Sequence, residues 1–378
     1  MSAERLVQDR ARPGPEDGRP AGAPGPRHAT TGRALRVTAG LWLVFCVLHY
    51  ALSGRFWLWL LVDLIPPVFF VAVPAVLLAL ALVLRTATRR LVLATVTAVA
   101  VTLPLLGVQL AGPRPGAGHR EVRVVSWNTE YWDQDDDHGG FIGFLRSQRA
   151  DVYLLQEYIH FDQSEQRVTR IDEVSRLRAA FPGYHIVIRG ELITLSRFPV
   201  VGQPLVPPDR YAADEDTEVG WQEQFERAKI LRTDLRVDDR VVSFYNVHIP
   251  VQLDVARAPW RAAFYRAVRE KAHNRNLQYA GLARELAGNR APTFVAGDFN
   301  TTSAMGEMGR IPDRMTDAAA AGDSWYPVSW PAGGTALWRL DWAFTAGGLT
   351  ARRYELVDPA GLSDHRLQRV LVSVAAAR

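Results

Sequence analysis

The chain has 378 residues, which suits one large domain with an appendage, or two ordinary domains, and excludes a disulfide-stabilised miniprotein. Its formal net charge is +4, but residues 1–111 carry 11 arginines against 5 acidic residues and the rest carries 33 cations against 35 acidic residues. The single cysteine, Cys46, excludes an intrachain disulfide and the cysteine-based zinc and redox motifs. Only two cations are lysines, Lys229 and Lys271, a skew that we attribute to GC-rich coding.

Residues 1–36 are rich in proline, glycine and arginine and hold few large apolar side chains. A segment of this composition buries too little apolar surface to offset the entropy that ordering costs. We therefore expect a disordered tail.

Residues 37–112 contain three uncharged apolar stretches, at 37–53, 64–84 and 91–112. A bilayer core of ~30 Å needs roughly 20 helical residues at ~1.5 Å each. A buried soluble helix, or a cleaved signal peptide for the first stretch, is the alternative interpretation. Three such stretches in close succession, with arginines at their ends, favour three transmembrane helices.

Arginines flank these stretches unevenly. The tail carries seven and the 85–90 loop carries three, whereas Arg55 is the only one in the first loop. Because short cytoplasmic loops carry the excess of positive charge, we expect the tail to be cytoplasmic. Three crossings of the cell membrane would then place everything after residue 112 outside the cytoplasm.

A short linker at 113–120 leads to a region at 121–378 whose pattern predicts an α/β domain. Short β-branched or aromatic runs alternate with amphipathic stretches. The predicted strands are 122–126, 152–156, 185–189, 192–196, 230–236, 241–247, 293–296, 341–344 and 368–374. The predicted helices are 141–148, 172–180 and 259–287.

Polar residues stand where these predicted strands begin or end. Singly, each has an ordinary explanation, such as a turn asparagine or a solvated glutamate. As an ordered set they indicate a site at one end of a layered α/β fold. The set comprises Asn128, Glu157, His248, Asp298, Asn300, Asp341, Asp364 and His365.

The motifs around these residues are WN, QE, NVH, GDFN, RLDWAF and SDH, in that order. The series resembles the signature of the endonuclease/exonuclease/phosphatase superfamily over roughly residues 121–376. The resemblance implies a four-layer α/β/β/α sandwich with its active site at one end of two packed sheets.

The same resemblance implies the catalytic roles. Asp298 would orient or deprotonate the attacking water, and Asn300 would donate to the developing phosphorane. Asp341 would be the carboxylate partner of His365, and His248 a candidate general acid. Which histidine performs which task is left open by the sequence. Alternation along an extended segment would place Asp298 and Asn300 on the same side.

Mg²⁺, with Mn²⁺ as an alternative, is the expected cofactor, because Asn128 and Glu157 offer the hard oxygen ligands that it prefers. Asp364 would support this metal site or orient its neighbour. The acidic run at 133–137 could bind a second cation, although a solvated loop is the favoured interpretation.

The arrangement of three apolar spans before an outward-facing domain is similar to that of VanJ-like membrane proteins linked to teicoplanin resistance. The membrane tether would hold the active site beside the outer leaflet, where lipid-linked phosphates are concentrated, and therefore favours a lipid phosphate or pyrophosphate substrate, such as a polyprenyl carrier. A domain with formal charge −2 makes nucleic acid an unlikely partner. The alternatives are a tethered extracellular nuclease and a catalytically silent module that binds an envelope lipid.

Overall fold

A computed structural model of the chain describes residues 26–110, 112, 120–132, 137–162, 164–165, 167–208, 220–253 and 257–375. The predicted tail up to residue 25, the linker at 113–119 and residues 133–136 of the acidic run lie outside this part. Helix α1, Pro26–Leu52, begins inside the segment that was predicted to be disordered. Leu35 packs against Ala39, Leu77 and Leu91, so helix packing provides the burial that composition alone did not predict.

Three helices precede the sheets: α1, α2 (Val68–Val83) and α3 (Arg89–Thr102), which a 3-10 turn extends to Leu106. Within the described residues, Thr30–Leu52 and Arg89–Leu106 are long and apolar enough to cross a membrane. Helix α2 has 16 residues, or ~24 Å, less than the ~30 Å bilayer core. The second predicted span, at 64–84, is thus shorter than expected, because α2 starts only after Pro66 and Pro67 and ends before Arg85, whose φ is 52°.

Two six-stranded sheets follow. The first has the order β13-β14-β1-β2-β6-β5, formed by Leu349–Val357, Leu367–Val374, Arg120–Asn128, Val152–Gln156, Leu192–Ser196 and His185–Arg189. The second has the order β11-β12-β10-β9-β8-β7, formed by Thr316–Asp317, Asp341–Ala346, Thr293–Asp298, Arg240–His248, Ile230–Val237 and Val200–Gly202. The pairs β1–β2 and β9–β10 are parallel and the other described pairs are antiparallel. A separate hairpin joins β3 (Ile159–Asp162) to β4 (Arg167–Arg170).

The main core lies between the two sheets. Val122 and Val124 of β1 meet Phe244 of β9 and Phe294 of β10 there, all fully buried. Because successive strand residues point to opposite faces, the outward positions are left for helices to cover.

Helices cover both outer faces. On the first sheet, α4 (His138–Ser147) buries Phe141 and α5 (Val174–Ala180) buries Leu177. On the second, α7 (Ala262–Gly288) buries Tyr279 and Leu282. A short helix α6, Trp221–Arg227, precedes β8. The predicted four-layer α/β/β/α sandwich is confirmed.

Candidate active site

The strand register brings the polar residues to one end of both sheets. Asn128, the last residue of β1, pairs with Gln156 of the parallel strand β2, so Glu157 follows directly beside it. In the second sheet Asp298 pairs with His248 on one side and with Asp341 on the other. Parallel neighbours end at the same edge of a sheet, which explains why residues far apart in sequence converge.

Gly297 allows β9 and β10 to approach closely just before Asp298. Its φ is 153°, and a Cβ at this position would lie 1.8 Å from the carbonyl oxygen of Val247. No side chain fits in that space. The glycine of the GDFN motif is therefore a packing requirement that fixes where Asp298 emerges.

A cavity of about 870 Å³ opens at this end of the sandwich. Seven of the eight predicted site residues line it, and Asp341 lies behind His365. The seven are Asn128, Glu157, His248, Asp298, Asn300, Asp364 and His365.

His365 is held by the carboxylate of Asp341, with 2.8 Å between its Nδ1 and Asp341 Oδ2. Its Nε2 faces Asp298 Oδ2 at 3.7 Å. Burial would lower the pKa of His365, but the neighbouring carboxylates, Asp341 first, raise it well above the ordinary value. The imidazolium with its Nε2 proton directed into the cavity is therefore the favoured form.

Asp298 is almost fully buried and is held by two asparagines. The backbone N–H of Asn300 donates to Oδ1 at 2.8 Å, and the side-chain amides of Asn300 and Asn128 each donate to Oδ2 at 3.1 Å. Burial raises the pKa of Asp298 to about 6, helped by the charge of Asp341 and opposed by His365 and His248. A carboxylate of this kind can accept a proton from water near neutral pH.

Asn300 reaches Asp298 by a turn and not by the extended alternation that the sequence suggested. Strand β10 ends at Asp298, and Asn300 has a φ of 45° in the left-handed region. Its amide also donates to the carbonyl oxygen of Ile249 at 3.0 Å. In this arrangement Asn300 fixes the position of Asp298.

His248 lies beside Glu191, a residue that the sequence motifs did not single out. Oε1 of Glu191 is 3.2 Å from Nδ1 of His248 and also binds the ammonium group of Lys229. Burial would lower the pKa of His248, but Glu191 above all, with Asp298 and Glu157, raises it to about 9. A protonated His248 can give its proton to a leaving oxygen.

Of the residues predicted to hold the metal, Glu157 places its carboxylate beside that of Asp298, whereas the side-chain oxygen of Asn128 accepts from Glu130 N at 3.0 Å. Asn128 Nδ2 donates both to Glu157 Oε1 at 3.0 Å and to Asp298 Oδ2 at 3.1 Å, so the two carboxylates converge on this amide nitrogen. Tyr131 N fixes the other oxygen of Glu157 at 2.9 Å. Hard carboxylate oxygens in an open cavity suit Mg²⁺ or Mn²⁺, which would supply positive charge to a phosphoryl oxygen.

Asp298, Asp341 and His365 form a second donor group, with one ligand atom from each within 4.8 Å of the others. Because Nδ1 of His365 is already bound to Asp341, this group offers fewer donors than its composition suggests. Asp298 belongs to both arrangements.

Asp364, the remaining predicted metal residue, lies at the rim. Its Oδ2 accepts from the indole of Trp330 at 2.7 Å, and its Oδ1 is 3.8 Å from His365 Nε2. Its backbone N–H donates to Glu130 at 2.8 Å. Its role, in supporting the metal site or in orienting a neighbour, stays a prediction.

The chemistry follows from these positions. Asp298 can orient and deprotonate a water, His365 can donate to a phosphoryl oxygen, and His248 can protonate a leaving oxygen. The set therefore suits the hydrolysis of a phosphoric ester or anhydride.

A comparison with known protein families agrees with the α/β/β/α sandwich described above. Residues 125–365 match the endonuclease/exonuclease/phosphatase family. No curated protein matches the chain.

Solved structures similar to the chain include an endonuclease/exonuclease/phosphatase family protein from Bacteroides thetaiotaomicron at 14% identity, covering 68% of this chain and 99% of that one with a TM-score of 0.47. A Beutenbergia cavernae member has 17% identity, coverage of 68% and 72%, and a TM-score of 0.46. A mannosyl-6-phosphatase from B. thetaiotaomicron has 14% identity, coverage of 66% and 99%, and a TM-score of 0.45. With its family match extending from the end of β1 to His365, the chain belongs to the endonuclease/exonuclease/phosphatase family.

Proposed function

We propose that this protein is a membrane-anchored, Mg²⁺-dependent phosphoesterase with an extracytoplasmic active site that acts on a lipid-linked phosphate or pyrophosphate. The observation that carries the proposal is the uneven lining of the active-site cavity. Charged and amide groups surround Asp298 and His365, whereas other walls are apolar. A substrate with a phosphate head and a hydrocarbon chain matches both parts.

The apolar wall includes a residue from the helical region. Leu64 lines the cavity together with Leu253, Met305, Trp338 and Leu340. The indole of Trp338 donates to the carbonyl oxygen of Leu64 at 3.0 Å. A soluble phosphate ester gains little from such a wall, whereas each buried CH₂ of a lipid chain contributes about 0.8 kcal/mol.

The helical region is docked on the loops that follow Asn300. His49 Nε2 is 2.7 Å from the carbonyl oxygen of Ala304, Gly306 N donates to Ser53 Oγ at 2.8 Å, and Ser303 Oγ donates to Leu105 O at 2.5 Å. The cavity therefore adjoins the helices, and a lipid held beside them would have a short path to Asp298.

The outer surface of the helices supports a bilayer location. Large apolar side chains there are exposed, including Leu41 at 65%, Val83 at 77% and Leu93 at 65%. Exposed apolar surface of this extent is typical of a membrane or protein interface. With the arginine distribution, it favours a cytoplasmic N-terminus and an outward catalytic domain.

The enzymatic test uses the purified full-length protein in detergent with Mg²⁺. Release of inorganic phosphate from polyprenyl phosphate and pyrophosphate is compared with hydrolysis of phospholipid and nicking of plasmid DNA. Asp298→Ala and His365→Ala should abolish the relevant activity. Phosphate release that both variants retain would refute the assignment of the site, and metal-dependent nicking without lipid hydrolysis would favour a tethered nuclease.

Topology and cellular role need separate measurements. A reporter active only outside the cytoplasm, fused after Arg378, should be active, and a cytoplasmic reporter there should be silent.

Since hydrolysis of an envelope lipid carrier would alter wall synthesis, deletion of the gene should change teicoplanin susceptibility, as the similarity to VanJ-like proteins suggests. The Asp298→Ala protein should fail to restore it.

A further inference from the structure

Both lysines of the chain line the active-site cavity. Lys229 and Lys271 are the only lysines among 44 cationic residues, and no arginine contributes to the described lining. Arginine thus predominates over lysine in the whole chain, whereas the described cavity lining contains lysine and no arginine. An ammonium group is a positive charge with three donors on a flexible stem, so it can move to meet a phosphate.

Lys229 is held by contacts within the protein. It is buried, forms an ion pair with Glu191 and lies 3.9 Å from the ring centroid of Phe225. Through Glu191 it is linked to His248. Its role is therefore to position the catalytic histidine, and its charge is balanced without a substrate.

Lys271 is the second lysine of the cavity lining. It lies partly buried on α7, and Asn274, three residues later on the same helix face, also lines the cavity. The adjacent positions Val268 and Ala272 pack against the 3-10 helix Trp57–Leu61. Lys271 thus lies near the junction with the helical region.

The charges of the cavity leave a role for this cation. A phosphate that is being cleaved would face His365, His248 and a bound divalent metal. A second phosphate would need its own positive partner, because the lining also contains Glu130, Glu226 and Asp364. Lys271 makes contacts within the protein, and a substrate phosphate would join or replace them.

We propose that Lys271, assisted by Asn274, binds the lipid-proximal phosphate of a lipid diphosphate while the terminal phosphate occupies the site at Asp298 and His365. The inference rests on the proposed function and narrows it to one substrate class. Water attacks the terminal phosphorus, and the bond from that phosphorus to the bridging oxygen breaks. The bridging oxygen takes a proton, so the products are inorganic phosphate and a lipid monophosphate.

The test compares farnesyl diphosphate with farnesyl monophosphate, using full-length protein in detergent with Mg²⁺. The wild type should prefer the diphosphate, and phosphorus NMR should detect farnesyl monophosphate and inorganic phosphate in equal amounts. Lys271→Gln should lower the diphosphate-to-monophosphate ratio of kcat/KM by about tenfold or more, the usual loss when one charged hydrogen bond is removed.

Two further variants separate charge at this position from general effects. Lys271→Arg keeps the charge and should keep the ratio within about threefold of wild type. Arg269→Gln removes an exposed cation on the same helix, outside the cavity lining, and should leave the ratio unchanged.

Three results would count against the inference. Equal losses on both substrates in Lys271→Gln, a Lys271→Arg ratio as low as that of Lys271→Gln, or a wild-type preference for the monophosphate would each overturn it. A wild type that hydrolyses neither lipid, yet cleaves another phosphoester, would instead remove the proposed function, and this inference with it.

Discussion

Oε1 of Glu191 lies 3.2 Å from Nδ1 of His248 and also binds Lys229. Glu191 comes from the turn between β5 and β6 in the first sheet, whereas Lys229 and His248 flank the ends of β8 and β9 in the second. The three charges therefore connect the two sheets at the site. Burial alone would raise the pKa of Glu191, but His248 and Lys229 together lower it to about 2.

The lowered pKa of Glu191 predicts how stability depends on pH. A carboxyl whose folded-state pKa is lowered stabilises the fold above its ordinary pKa of 4.5, and this contribution is lost as the pH falls towards 2. Glu191→Gln should lower the free energy of unfolding at pH 7 by on the order of 3 kcal/mol, because buried Lys229 loses its partner. The variant should also lose less stability than wild type between pH 4.5 and 2.

Thermal unfolding in detergent across this pH range would measure both effects. Glu223→Gln is the matched control, since it removes one carboxylate of an exposed ion pair with Arg227 and should cost less than about 1 kcal/mol. Equal pH slopes for the wild type and Glu191→Gln would contradict the prediction.

The hydrogen bond between Asp341 and His365 predicts a large kinetic effect. Asp341→Asn keeps the size of the side chain but removes the charge that holds the Nδ1 proton and stabilises the imidazolium. We expect kcat to fall by about 10²–10⁴-fold, the usual contribution of acid–base catalysis. Asp313→Asn, at an exposed position, is the control for the same chemical change. Near-normal turnover in a correctly folded Asp341→Asn protein would exclude the pair from catalysis.

Much of the sandwich could be predicted because its strands are short, apolar and regularly spaced. The predicted strands 152–156, 185–189 and 192–196 match β2, β5 and β6 residue for residue. Strand β13 was not predicted, because Arg352, Arg353 and Glu355 interrupt its apolar alternation. The hairpin β3–β4 was not predicted for the same reason, since its two strands carry charged and polar residues.

The polar site residues at the ends of strands could be predicted as a group, because the register of a sheet aligns those strand ends. Glu191 could not, since its importance depends on a turn of one sheet meeting His248 of the other. Lys229 and Lys271 did leave a signal in the composition, as the only lysines in an arginine-rich chain. The sequence does not reveal that both face one cavity.

The converging carboxylates of Glu157 and Asp298 predict dependence on a divalent metal. Chelation should abolish activity, and Mg²⁺ or Mn²⁺ should restore it. Glu157→Gln keeps an oxygen near Tyr131 N but removes the charge, so the Mg²⁺ concentration for half-maximal activity should rise by about tenfold or more. Glu165→Gln, more than half exposed, is the control and should titrate like wild type. A Glu157→Gln protein with unchanged Mg²⁺ dependence would exclude Glu157 as a ligand.

The backbone contact between Gly306 and Ser53 predicts that docking of the helical region controls the cavity. A Cβ on Gly306 would lie 2.3 Å from the carbonyl oxygen of Ser53, and a Cβ on Gly54 would lie 2.8 Å from Glu307 N. Gly306→Ala must therefore push the two segments apart, at a cost of about 1–3 kcal/mol. Because Met305 lines the cavity, the displacement should disturb the apolar wall more than Asp298.

Gly306→Ala should accordingly lower the unfolding temperature and should reduce kcat/KM for a long-chain lipid phosphate more than for a short, soluble one. Gly309→Ala is a close control in the same 3-10 turn, since a Cβ there meets nothing within 4 Å. Both variants add one methyl group to the same short segment, so a difference between them isolates the contact with Ser53. Equal behaviour of the two, on both substrates, would show that the helical region does not shape the cavity.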